Sequence, residues 1–193
     1  MKTYQIAVVV GSLRDNSVNE RLALAIQKLA PADFAFTRVG IGDLPLYNQD
    51  DDASPAPSVK RLKAQILAAD GAIIVTPEYN RSIPGVLKNA LDHGSRPYGK
   101  SVWAGKPAAI LGLSPGPIGT ALAQQHLRSI LGYLDMPVLG QPEAYLQATD
   151  ALFDADGNIG ASSKDFLQSW MDAFASWVRL HSDAQAVPQR KRA

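Results

Sequence analysis

The chain has 193 residues, 46% hydrophobic and 19% charged, which provides for one compact domain with a real core and excludes a disordered chain. Nineteen Lys and Arg against eighteen Asp and Glu leave a net charge of +1, so no global field gathers polyanions, and nucleic acid is not an expected partner. Cysteine is absent and no apolar run reaches the length of a membrane span, which removes disulfides, thiolate metal sites, thiol redox chemistry and membrane insertion. "MKTY" leads straight into a strand pattern with no signal peptide, so the expected setting is the cytoplasm.

In chain order, "YQIAVVV" (4–10) reads as a buried strand, followed by an amphipathic helix near 18–30 with Leu22, Ile26 and Leu29 on one face. "FAFTRVG" (34–40) is a second strand, and a loop rich in Pro, Asp and Ser separates it from a helix over 58–69. A third strand, "GAIIVTPEY" (71–79), precedes a helix over 83–94. "KPAAILGLS" (106–114) and a helix over 118–134 form the next pair, then a short fifth strand near 137–139 and a last helix at about 163–181. Such alternation predicts an α/β fold with a parallel sheet covered on both faces. Five strands in this length suit a flavodoxin-like three-layer sandwich of order 2-1-3-4-5 over residues 1–182, with 183–193 a polar basic tail.

In such sheets ligands bind beyond the carboxyl ends of the strands, beside strand 1. "GSLRDNSVN" lies there and matches neither Walker A nor G-x-G-x-x-G. Gly11 allows a close backbone approach, Ser12 and Ser17 offer hydroxyls, Asn19 an amide and Arg14 a guanidinium, all ahead of a helix N-terminus. The set suits a terminal phosphate monoester. The plainer alternative, in which Ser17 or Asn16 only caps the helix and Arg14 is solvated, stays open on spacing alone. Two further strand ends meet the same rim. "TPEYNRSIPG" (76–85) brings Pro77, Glu78, Tyr79 and Asn80, and "LSPGPIG" (113–119) brings Ser114, Gly116 and Gly119. A phosphate loop, an aromatic turn and a glycine-rich turn together describe a site for flavin mononucleotide (FMN).

The stretches "GSLRDNSVNERLA", "TPEYNRSIPGVLKNALDHGSRP" and "WAGKPAAILGLSPGPIGTALAQQHLR" closely resemble the NADPH-dependent FMN reductase family, whose best-known bacterial members reduce quinones, chromate and azo dyes. The resemblance covers roughly residues 3 to 180, and G-S-x-R-x-x-S with P-E-Y-N at this separation is a specific combination. It implies that Ser12, Arg14, Ser17 and Asn19 hold the FMN phosphate. It also implies that Pro77, Glu78, Tyr79 and Asn80 border the isoalloxazine ring and that Ser114 and Gly116 flank its other edge. Where many relatives carry two adjacent glycines, this chain has Gly119-Thr120. The implied chemistry is ping-pong hydride transfer from NADPH or NADH through flavin N5 to quinones and similar small-molecule acceptors, with chromate, azo compounds and free flavin as further candidates. No side chain is assigned as catalytic acid or base. Arg81 and Arg96 are candidates for the dinucleotide or an anionic acceptor. A homodimer or homotetramer is implied, with Arg128, Tyr133 and Glu143 as interface polar residues.

Other features read as structural. His93, His126 and His181 show no metal spacing, and no metal is expected. "DADGNIGASSKD" (154–165) misplaces its glycines for a calcium loop and ends in Asp165 where a bidentate Glu belongs. Trp103, Trp170 and Trp177 read as core or interface residues. Two rivals keep the same loops, an FMN-binding electron carrier and a redox sensor without NAD(P)H turnover. Carriers are usually acidic, and this chain is near neutral.

Overall fold

The computed structural model describes residues 2–185. Five strands, β1 (Tyr4–Val10), β2 (Phe34–Val39), β3 (Gly71–Val75), β4 (Ala108–Ser114) and β5 (Ala144–Gln147), pair in parallel in the order β2-β1-β3-β4-β5. The helices are α1 (Val18–Gln27), α2 (Pro57–Leu67), α3 (Gly85–Ser95), α4 (Ala121–Tyr133) and α5 (Ala161–Gln185). The expected flavodoxin-like architecture is the observed one.

Alternation along β1 divides the core. Ile6, Val8 and Val10 join Ile73, Val75, Leu111 and Leu113 on the face covered by α1 and α5. Ala7 and Val9 join Ile74 and Ile110 on the face covered by α2, α3 and α4. On α5, Leu167, Trp170, Met171, Phe174 and Val178 recur at helical spacing, and the Trp170 and Phe174 rings stack at 5.9 Å. Gly71 lets that helix close on the sheet, because a Cβ there would come within 2.8 Å of Val178. Trp103 is fully buried, donates from Nε1 to Leu91 O at 3.0 Å, and packs where Gly94 has no side chain.

The fifth strand is not at 137–139. Val138 makes only an isolated bridge to Ala108, while Pro137, Gly140 and Pro142 interrupt any ladder. The edge strand forms later, at Ala144–Gln147, with the alternating burial of a one-sided strand. β3 ends at Val75, so Thr76 to Tyr79 belong to the following loop. Helix α5 continues to Gln185, and the basic end of the expected tail lies outside the described residues. Leu127 and Leu131 of α4 are buried within the chain, and Ile130 and Leu134 pack against the same core.

Candidate functional site

Parallel order puts the loops after β1, β3 and β4 on one rim. In the first, the Gly11 N–H donates to Val75 O at 2.8 Å. A Cβ at Gly11 would lie 3.3 Å from Leu87 and 3.4 Å from Pro77, so this glycine lets α3 and the next loop close on β1. The backbone N–H groups of residues 12–16 donate to nothing among the described residues, and the Arg14 side chain has no hydrogen bond or ion pair there. Ser12 is buried beneath them. Ser17 is the N-cap of α1, its Oγ accepting the Glu20 N–H at 3.4 Å.

Asn19 is spent differently. Its Nδ2 donates to Leu113 O and its Oδ1 accepts from Leu113 N–H, both at 2.9 Å in a buried setting. The reason lies in the register. Val75 pairs with Leu111, whose C=O accepts the Thr76 N–H, but β3 ends there, so two residues on, the N–H and C=O of Leu113 have no strand beside them on this side. The Asn19 amide stands in for the strand that has turned away.

In the second loop, Tyr79 and Ser82 exchange two backbone hydrogen bonds of 3.0 Å around Asn80 and Arg81, whose φ values are 52° and 63°. Two successive left-handed residues make a tight hairpin turn in which Asn is favoured first and Gly second, so Arg81 holds a strained backbone. Tyr79 keeps an exposed face. Glu78 is tucked inward. Its Oε2 accepts from the N–H groups of Leu122 (3.0 Å) and Ala123 (3.1 Å) at the start of α4, and its Oε1 pairs with Arg81 at 3.0 Å. Ser82 Oγ meets His126 Nδ1 at 3.0 Å, a second bond from the hairpin to α4.

The third loop is closed by Ser114, whose Oγ donates to the carbonyls of Gly116 (3.1 Å) and Gly119. A Cβ at Gly116 would meet open space, which suits a surface that a ligand approaches. Gly119 serves another purpose: its φ is +67°, and a Cβ would lie 2.6 Å from the Tyr145 backbone. Beneath the rim, Gln124 Nε2 donates to Thr120 Oγ1 (2.9 Å) and Ala144 O (2.8 Å). Gly112 leaves the space that Thr120 Oγ1 and Thr76 O occupy. Sequence reasoning passed over Thr76, marked as the polar residue directly after the apolar strand run, and Gln124, a polar residue on the apolar face of α4.

Arg96 does not join this rim within one chain. It caps the far end of α3, about 16 Å along the helix from the hairpin. There it lines a groove of about 510 Å3 with Lys88, Asp92 and the exposed Tyr133. Its carbonyl accepts from Lys63, whose ammonium is held below its ordinary pKa by burial. The long loop after β2 reaches the rim's flank and is fixed by α3, since Asn89 brackets it through Tyr47 N–H and Pro45 O, and His93 Nε2 also meets Pro45 O at 2.8 Å. Arg128 is ion-paired with Glu143 at 3.5 Å. Burial, reinforced by Glu143, raises the neighbouring Tyr145 phenol above its ordinary pKa.

The donor set fits a phosphate monoester. Five N–H groups and a guanidinium without partners among the described residues, together with a helix N-terminus and a buried hydroxyl, lie within one short loop, a composition that offers a doubly charged terminal group many donors. The fold defines a flavodoxin-like protein whose loop after β1 lies at the switch point of the sheet. The model of the NADPH-dependent FMN reductase family matches residues 4–150. A 2-hydroxy-1,4-benzoquinone reductase from Burkholderia sp. is 56% identical over 176 residues, 91% of this chain and 96% of that protein. A quinone reductase from Pseudomonas putida is 50% identical over 93% of this chain and 97% of its own. Among solved structures, the flavoenzyme NAD(P)H:(acceptor) oxidoreductase FerB from Paracoccus denitrificans superposes with a TM-score of 0.89 at 46% identity, covering 93% of this chain and 99% of that one. The chain belongs to the NADPH-dependent FMN reductase family, and it is an oxidoreductase with FMN as cofactor and NAD(P)H as electron donor.

Proposed function

We propose that this protein reduces small quinones at the expense of NAD(P)H through a single FMN site on the β1, β3 and β4 rim. The observation that carries the proposal is the unspent donor set of residues 12–16, opposite two loops whose polar groups are already committed to one another. Ser12, Arg14, the Ser17 end of α1 and the free N–H groups would hold the phosphate. Asn19 would serve by fastening that cradle to β4. Pro77, Tyr79 and Asn80 on one side, with Ser114 and Gly116 on the other, would frame the ring. When bound, FMN supplies two-electron chemistry, taking a hydride from the nicotinamide and yielding it to an acceptor that occupies the same place in turn. Backbone N–H groups on the rim would favour negative charge in the reduced state, so no side-chain acid is required.

The names of the two relatives at 50% and 56% identity, both quinone reductases, favour quinones as acceptors. Chromate, azo compounds and free flavin extend the proposal as further acceptors of the same open site. The domain is taken as one unit over residues 1–182, in the cytoplasm, and as a homodimer or homotetramer in which Arg96 and Tyr133 face a second copy. Anaerobic titration tests the function. NADPH should bleach the bound flavin and 2-hydroxy-1,4-benzoquinone should restore it in stoichiometric amount. Flavin that NADPH leaves oxidised would point instead to an electron carrier.

A further inference from the structure

Glu78 belongs to the loop that frames the proposed flavin site, yet neither of its carboxylate oxygens is free to meet a ligand. One accepts two N–H groups at the start of α4 and the other pairs with Arg81. Its side chain is 8% exposed, whereas that of Arg81 is 63% exposed. The acid is therefore withdrawn from solvent and held by a helix N-terminus, where negative charge is favoured. Arg81 sits at φ 63° and Asn80 at φ 52°, a conformation that persists only when its surroundings enforce it. Ser82 adds a single further bond to α4 through His126. Ser114, on the other side, draws Gly116 and Gly119 into the turn that leads into α4. The start of α4 thus abuts both framing loops, and Glu78 is the charged joint between them.

Given the flavin site proposed above, we infer that Glu78 is a positioning residue: its carboxylate clamps the strained Tyr79–Ser82 hairpin to the first turn of α4, and so fixes the spacing between the two loops that frame the ring. Because it also neutralises Arg81, its charge sets the local balance beside the flavin. A glutamine at this place keeps an oxygen for the α4 N–H groups and releases Arg81 as an unpaired cation. An alanine loses both.

The test uses the full chain with E78Q, E78A and the double variant E78Q/R81Q. In flavin-free protein, amide exchange at Leu122, Ala123, Tyr79 and Ser82 should quicken at least about tenfold in E78A and stay near the parent in E78Q. In the holoenzyme, E78A should lose about tenfold or more in FMN affinity and in kcat, with E78Q recovering most of both. The flavin midpoint potential should rise in E78Q, which adds net positive charge beside the reduced flavin, and return toward the parent in E78Q/R81Q. Unchanged exchange in E78A overturns the clamp, and an unmoved potential in E78Q overturns the charge role. A parent protein that takes up no FMN overturns the functional proposal, while the exchange data still decide whether the clamp exists.

Discussion

The loop after β1 and the pair of loops after β3 and β4 stand on the same rim and use their polar groups in opposite ways. From Ser12 to Asn16 the backbone donors meet no acceptor among the described residues, and Arg14 has no hydrogen bond or ion pair there. Across the rim, Glu78, Ser82, Ser114 and Thr120 all hydrogen-bond within the framework. One side is, in the function proposed above, a receptor that a ligand completes, and the other is a frame already bonded within the protein. Substitutions should therefore separate into those that alter affinity with the fold intact and those that alter the fold itself.

The largest effect is expected in the frame. Gly112→Ala would place a Cβ 2.2 Å from Thr76 O and 2.0 Å from Thr120 Oγ1. It should cost about 3 kcal/mol or more, read by urea unfolding of the flavin-free protein. Asn19→Ala follows, since it strands the N–H and C=O of Leu113 and should cost about 3 kcal/mol. If it weakened FMN binding without loss of stability, Asn19 would belong to the receptor and the contrast would break at that residue. Arg14→Ala should leave the unfolding midpoint in place and weaken FMN binding about 10–100-fold in a fluorescence titration. Arg81→Gly relieves a left-handed non-glycine residue but takes from the buried Glu78 carboxylate its ion-pair partner. The two should nearly offset, leaving the stability read by urea unfolding within about 1 kcal/mol of the parent.

A control outside the rim is Asp154, whose carboxylate accepts from the Asn158 side chain and from the N–H groups of Asn158 and Asp156. Those bonds, the Asn158 side chain first, hold its pKa below the ordinary aspartate value. A depressed folded pKa contributes stability above the unfolded value, and that stability is lost as pH falls through the folded one. Asp154→Asn should therefore flatten slightly the decline of the urea midpoint between about pH 5 and about pH 3, with FMN affinity unchanged.

Much of this division could be read from residues alone. Continuous Val and Ile runs placed β1 and β3, and the stop at Gly11 and Pro77 placed the rim. The motif spacing assigned Ser12, Arg14, Tyr79 and Ser114 to the carboxyl ends of the first, third and fourth strands, and β1, β3 and β4 end beside them. What escaped were features decided by partners distant in sequence. β5 is an edge strand with only half a face to bury, and its pattern is weaker than the apolar "PVLG" ahead of it, where prolines forbid a ladder. Asn19 and Glu78 resemble ligand-facing groups by type and position. Only the early end of β3, which leaves Leu113 without a strand partner on that side, and the helix start beside Glu78, reveal that the framework claims them. Arg96 looked close in sequence to the hairpin, but a helix carries it to the other end of the sheet.

Asn19 and Leu113 are 94 residues apart in the chain. The whole loop after β1 is thus translated early, while the joint that fixes its helix arrives only when β4 has entered the sheet. A ribosome-bound or recombinant fragment ending before Ala108 would contain every residue of "GSLRDNSVN" and still lack that joint. The anchoring of α1 to the sheet through Asn19 is in this sense a late event in the making of the molecule, timed by the fourth strand rather than by the loop ahead of it.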